Sequence, residues 1–156
     1  YIKTEAFGQF HYSNDFDANQ KLEIDGYISV GDMGWVDSEG YLFVTDRKKD
    51  MIISGGVNIF PVEIEEILFK APFIADVAVF GAPDSEFGEQ IVAAIQPVVS
   101  WTGNEAEVLT WLEGKLANFK HPKIISFHKT LPREDSGKIF KTRLRRPYWT
   151  KVNRSI

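Results

Sequence analysis

The feature that most narrows the fold is a pair of adjacent glycines, Gly55 and Gly56, set between two short apolar runs in the stretch DRKKDMIISGGVNIFPVEIEE, residues 46–66. Met51 to Ile53 is long enough for one strand, Ser54 to Gly56 breaks the pattern, and Val57 to Phe60 forms a second run. Glycine takes positive φ without a Cβ clash and lets another group come close to the main chain, so the stretch predicts a tight hairpin. Pro61 then stands where a first helical position would be, with Glu63, Glu65 and Glu66 placing negative charge in the first turns. A proline there gives up an N–H that has no intrahelical partner, and the carboxylates sit at the positive end of the helix dipole; both predict a helix over Pro61 to Lys70.

The rest of the chain arranges itself on either side of this hairpin. Residues 1–24 hold scattered turn formers and predict only short strands and loops. DGYISVGDMGWVDSEGYLFVTD, residues 25–46, alternates β-rich runs with Gly and Asp turns, and Ser38, Glu39 and Gly40 are placed to reverse the chain between Trp35-Val36 and Tyr41 to Thr45. Beyond the helix, Ile74 to Phe80 predicts a strand, GAPDSEFGEQ a loop, and Ile91 to Val99 a second strand. Asn104 is a candidate N-cap for an amphipathic helix with Val108, Leu109, Trp111, Leu112, Leu116 and Phe119 on one face, and Ile124 to Phe127 supplies another strand. This order predicts an α+β fold, a small domain with a β-hairpin and a mixed sheet flanked by helices, preceded by a short β-rich segment.

Charge divides the chain at the same place. The net charge of −4 is −6 over residues 1–45 and +2 over residues 46–156. With 156 residues, 44% of them hydrophobic and 13% aromatic, the chain has the material for a real core. No apolar run approaches the roughly 20 residues that span a bilayer, and the first ten residues lack a basic segment followed by a hydrophobic one, so the protein is read as soluble and cytoplasmic. The absence of cysteine excludes a disulfide framework, a thiol nucleophile and a Cys-based zinc site, and His11, His121 and His128 are too scattered to suggest a metal centre. The chain starts at Tyr1 rather than Met, which reads as a piece of something longer.

Several residues carry two readings each. Asp32, in GDMGW, is either a turn aspartate or a hydrogen-bond acceptor for a ligand, and Arg47 is either a solubilising surface charge or an anion contact. Phe87 is an aromatic in a loop, docked under the sheet or open to a ligand. FKHPK, residues 119–123, is most simply a helix terminator with cations at the negative end of the dipole. Lys138 lies at the centre of LPREDSGKIFKTRLRR, where the Gly-Lys pair lacks the G-x-x-x-x-G-K-[ST] of a P-loop. From Lys138 to Arg154 there are seven bases and no acid, which is either a solvated face or a patch for nucleic acid or a membrane surface.

Read together and in order, these motifs resemble the adenylate-forming enzymes, the superfamily of acyl-CoA and aryl-CoA synthetases, luciferase and peptide-synthetase adenylation domains. DMIISGG, Asn58, Pro61 and EIE are most similar to the CoA ligases acting on aryl or fatty acids. The resemblance implies that residues 1–45 are the C-terminal end of the large AMP-binding domain and residues 46–156 the mobile C-terminal domain. It implies that Asp32 accepts hydrogen bonds from both ribose hydroxyls of ATP, that Arg47 contacts ribose and phosphate, and that Lys49 is the hinge between two half-reactions. Val30 stands where the family usually has Thr. Ser54, Gly55 and Gly56 would line the pantetheine passage, and Phe87, Phe119, His121 and Lys123 would hold the CoA nucleotide, with His121 in place of a frequent Arg. Lys138 would enter the active site during adenylation, offsetting the repulsion between a carboxylate and the α-phosphate of MgATP. ATP with Mg²⁺ and CoA are then substrates, with no tightly bound cofactor and no metal ligands in this chain, and the partner is an N-terminal large domain. The chain alone is expected to be inactive. Three other readings stand beside this one: an adenylation domain loading a carrier-protein pantetheine, a non-catalytic interaction module of the same fold, and a nucleic-acid-binding module using the basic tail.

Overall fold

The computed structural model describes residues 31–150, together with 27–29 and the strand residues Glu23 and Ile24. The expectations placed on residues 1–22, on Val30 and on the end of the basic run lie outside the described residues. The chain divides into two compact units, Tyr1–Lys49 and Asp50–Ile156.

In the first unit β1 (Glu23–Ile24) pairs with β2 (Tyr27–Ile28), and β3 (Asp32–Val36) pairs antiparallel with β4 (Leu42–Arg47). The reversal between β3 and β4 is written by Asp37, whose Oδ1 accepts from the N–H of Glu39 and of Tyr41, both at 2.9 Å, while Gly40 takes φ +88°. A register shift between Met33 and Gly34 bulges β3, and Trp35 stacks on Phe43 with ring centroids 4.4 Å apart. No residue from Gly31 to Lys49 is buried.

The second unit holds the core. β5 (Ile52–Ser54) and β6 (Val57–Ile59) form the glycine hairpin, followed by α1 (Pro61–Phe69), β7 (Ile74–Asp84), β8 (Gly88–Pro97), α2 (Glu105–Leu112), β9 (Ile124–Phe127) and α3 (Lys141–Thr150). The sheet runs β6-β5-β8-β7, all antiparallel, and β9 joins β8 in parallel, which makes the sheet mixed. Side chains alternate across a strand, and both faces here are covered. Val77, Val79, Ile91, Ala93 and Ile95 face Ile64, Leu68, Val108 and Leu112 from α1 and α2. Ala78, Phe80, Ala82, Val92 and Ala94 turn the other way, onto Leu131 and Leu144.

Three details differ from the expectations. GAPDSEFGEQ is not a loop: β7 continues to Asp84 and β8 begins at Gly88, with Pro83 opposite Glu89 and Asp84 opposite Gly88. Pro83 is tolerated because β7 is an edge strand, so its missing N–H breaks no ladder bond. α2 ends at Leu112, short of FKHPK, because Glu113 leaves helical geometry at ψ 132° and Gly114 takes φ +70°. Leu116 still packs on the core, but Phe119 lies in a 3₁₀ turn, Asn118–Lys120, and is 59% exposed. Finally, the basic run after Lys138 folds into α3, anchored by Leu144 and by the Trp149 indole N–H, which donates to the Gly81 carbonyl at 3.1 Å.

Candidate functional site

The two residues singled out in the first unit are cross-strand neighbours. β3 and β4 pair so that Asp32 lies opposite Arg47, with Arg47 Nε 3.8 Å from Asp32 Oδ1 and both side chains well exposed. That separation is too long for a hydrogen bond, so a carboxylate with free acceptor sites and a guanidinium fork stand side by side. The two sequence candidates are brought together by the bulge, which sets the register. Gly34 makes the bulge possible, because a Cβ there would overlap the Phe43 carbonyl oxygen. Lys49 follows within a 3₁₀ turn, Lys48–Asp50, whose Lys48 N–H donates to the Gly31 carbonyl at 2.8 Å.

A second group assembles in the other unit around Phe87. The Gly55 N–H donates to the Phe87 carbonyl at 2.9 Å, and Ser54 pairs with Gly88. Gly55 sits at φ +58° and Gly56 at +79°, the left-handed region the hairpin requires. A Cβ on Gly55 would come 3.2 Å from Phe87 Cδ1, so the aromatic lies directly against the glycine backbone. Over the Phe87 ring, 4.2 Å from its centroid, is Lys123 Nζ. β9 carries Lys123 there: its parallel pairing with β8 begins at Ile124 opposite Val92, and the Lys123 N–H donates to the Ile91 carbonyl at 3.0 Å. The structure therefore joins Ser54, Gly55, Phe87 and Lys123.

Phe119 and His121 make other contacts. His121 Nε2 lies 3.1 Å from the Leu116 carbonyl oxygen, and Lys120 Nζ sits 5.9 Å from the Phe119 ring centroid while pairing with Glu63 on α1.

Asp84 completes the Phe87 group and had not been singled out. Its Oδ1 accepts from the N–H of Glu86 at 3.0 Å and of Phe87 at 2.9 Å, and Oδ2 lies 3.9 Å from Lys123 Nζ. The Phe87 and Glu86 N–H groups, with the Lys123 ammonium behind them, hold this carboxyl below the usual aspartate range although burial opposes them. An Asp three residues before an aromatic and four before a Gly is an Asx-turn signal, legible in principle.

Lys138 sits on a small hairpin of its own. Arg133 bridges Ile139, the Glu134 N–H donates to the Lys138 carbonyl at 2.8 Å, and Gly137 turns the chain at φ +85°. Arg133 ties the loop down by pairing with Asp76 of β7 and donating to the Gly137 carbonyl. The Lys138 side chain is exposed and has no ion pair among the described residues. The loop thus presents an unpaired ammonium on a braced turn. Among the described residues no cluster of His, Asp or Glu is arranged to hold a metal ion, and no helix is long and apolar enough to cross a membrane.

Residues 63–138 match the family described as the AMP-binding enzyme C-terminal domain. The chain is 47% identical over 134 residues to an indoleacetate–CoA ligase of Aromatoleum aromaticum, covering 86% of this chain and 26% of that protein. It is 42% identical over 137 residues to a long-chain-fatty-acid–CoA ligase of Mycobacterium tuberculosis, covering 88% and 27%. Among solved structures, ATP-bound MatB from Rhodopseudomonas palustris superposes with a TM-score of 0.79 at 38% identity, over 85% of this chain and 26% of that one. The chain spans about a quarter of the length of the curated relatives it matches.

Proposed function

We propose that the chain, whose residues 63–138 match the AMP-binding enzyme C-terminal domain, belongs to the adenylate-forming superfamily and is the C-terminal portion of an ATP-dependent carboxylate–CoA ligase. The observation that carries this reading is the pair of relatives at 47% and 42% identity, which differ in their acid, indoleacetate against a long-chain fatty acid, and share the CoA-ligase reaction. In the whole enzyme a carboxylate oxygen attacks the α-phosphate of MgATP, releasing pyrophosphate and leaving an acyl-adenylate. The CoA thiol then attacks the acyl carbon and expels AMP.

The residues divide between these steps as their placement suggests. Asp32 and Arg47, an exposed ion pair at 3.8 Å with no hydrogen bond between them, offer an acceptor for ribose hydroxyls and a donor fork for phosphate. Lys138 supplies a positive charge where negative charge develops on the phosphoryl group. Gly56, with open space where a Cβ would stand, Phe87 and Lys123 present a side-chain-free approach, an aromatic ring and a cation, a set suited to a pantetheine arm and a phosphorylated nucleotide. Phe119 and His121 would contribute from a separate turn. Residues 1–45 are assigned to the large domain and residues 46–156 to the mobile domain, with Lys49 as the hinge. Cytoplasmic placement follows from the substrates this reading requires.

The test is acid-dependent pyrophosphate release and CoA-dependent thioester formation by the complete protein over a panel of carboxylates. In that protein Lys138→Ala should lower adenylation by about 10²- to 10³-fold, as loss of one transition-state charge contact does, and spare thioester formation from supplied acyl-adenylate. Equal loss in both steps refutes the role, and no acid-dependent pyrophosphate release with any acid refutes the ligase reading. Transfer to a carrier-protein pantetheine in place of CoA would move the acceptor, leaving adenylation intact.

A further inference from the structure

On the second face of the sheet, apart from the Phe87 group and the Lys138 turn, lies a cleft of about 650 Å³. This volume is within the roughly 300–1,000 Å³ of small-molecule sites. Its apolar side is built from Phe80 of β7 with Leu144 and Tyr148 of α3, and the Phe80 and Tyr148 rings meet edge to face at 5.8 Å. Its polar side is Ser126, His128 and Arg143, where the Ser126 hydroxyl lies 3.0 Å from His128 Nε2. No carboxylate lines it.

α3 carries four cations, Lys141, Arg143, Arg145 and Arg146, and of these only Arg143 lines the cleft. Lys141 pairs with Glu65 at 2.7 Å and Arg145 with Glu89 at 3.7 Å. Arg143, which lines the cleft, has no ion pair among the described residues. An unpaired guanidinium beside a histidine and a hydroxyl, next to an aromatic floor and with no acid nearby, selects an anion attached to an apolar body. We propose that this cleft is a second binding site, for a small organic anion whose carboxylate or phosphate is held by Arg143 and His128 and whose apolar part lies on Phe80 and Tyr148. This site shares no residue with the surfaces assigned to ATP or CoA, so it stands or falls independently of the ligase reading.

The experiment titrates the ¹⁵N-labelled 156-residue chain with benzoate, phenyl phosphate and neutral benzyl alcohol, following amide shifts. Saturable shifts are expected at residues 126–130 and 143–148, with at least one anion binding roughly tenfold or more tighter than benzyl alcohol, the scale of a charged hydrogen bond. Benzoate ahead of phenyl phosphate identifies a carboxylate ligand, and the reverse order a phosphate monoester. Arg143→Gln should remove the preference for anions while leaving the rest of the spectrum in place, because Arg143 is exposed and unpaired. Arg143→Lys should restore only part of it, since an ammonium lacks the planar fork, and His128→Gln should weaken anion binding less than Arg143→Gln does. The proposal is overturned by the absence of saturable shifts, by shifts centred on Phe87 and Lys123, by equal binding of benzyl alcohol, or by an Arg143→Gln chain that binds the anions unchanged.

Discussion

Gly55 carries two constraints at once: its φ is +58°, and a Cβ there would come 3.2 Å from Phe87 Cδ1. Alanine in the left-handed region costs roughly 1–2 kcal/mol, and the contact obliges the ring to give way as well. Gly55→Ala should therefore lower the unfolding free energy measured in urea by about that amount and shift the Phe87 ring resonances, whereas Gly56→Ala, with open space around its Cβ, should show only the backbone cost. Unmoved Phe87 resonances in Gly55→Ala would show that the ring does not rest on the glycine. Asp84 gives a pH signature. Its carboxyl is held below the usual aspartate range by the Phe87 and Glu86 N–H groups and the Lys123 charge, so the folded state favours the ionised form. The stability this supplies is fully present above the unfolded value near about 3.9 and is lost as pH falls through the lower folded value. The wild-type chain should accordingly exceed Asp84→Asn in stability by a constant amount at neutral pH, and the gap should close below about pH 4. A gap that persists at pH 2, or that opens only in acid, would contradict the assignment.

α1 shows how an element without a side-chain cap is held. Phe60, at its N-cap, makes no side-chain cap bond, and the helix rests instead on Pro61, Ile64 and Leu68, all fully buried or nearly so, on one face. Leu68→Ala should cost about 2–5 kcal/mol by denaturant titration, a large-to-small change in a closed core. A loss below 1 kcal/mol would mean the site collapses around the cavity. The signals for this helix were local and therefore legible: a glycine hairpin, a proline at the first turn, and apolar residues four apart. Asn104 was legible for the same reason, and its Oδ1 accepts from the N–H of Ala106 at 3.0 Å as the N-cap pattern requires. Elements whose form depends on their neighbours were not. Gly81, Pro83 and Gly88 read as loop punctuation, yet they lie in the long β7–β8 ladder because β7 is an edge and Gly88 closes the turn at φ +80°. α3 buries only Leu144 and contains Pro147, so neither apolar periodicity nor proline placement marked it as a helix. The site divides in the same way. Asp32 and Arg47 each carried a motif, but their adjacency depends on a bulge that no spacing rule supplies. The meeting of Phe87 with Lys123 depends on the parallel β8–β9 pairing, and Asp84, which braces both, was lost inside a presumed loop.

At the scale of the whole molecule, the buried residues among those described all lie in the unit Asp50–Ile156, while the β3–β4 hairpin leaves Trp35, Leu42, Phe43 and Val44 exposed. The division falls between Lys49 and Asp50, inside the 3₁₀ turn Lys48–Asp50. A few element-terminal residues suffice to absorb a domain rotation, and this turn joins β4 to β5 with no buried residue of its own. Proline fixes φ near about −65°, removes an N–H, and pushes the preceding residue away from helical geometry. On the ligase reading proposed above, Lys49→Pro in the complete protein should hold the turn near one set of dihedrals. If adenylation accepts that set, pyrophosphate release survives while CoA-dependent turnover collapses. Strain on β5 alone would act differently: Ile52 belongs to the core, so damage spreading through Asp50 would lower the unfolding temperature and both half-reactions together. Thermal unfolding measured beside each half-reaction separates the two cases. A variant of normal stability that completes both half-reactions at the wild-type rate would remove Lys49 as the hinge.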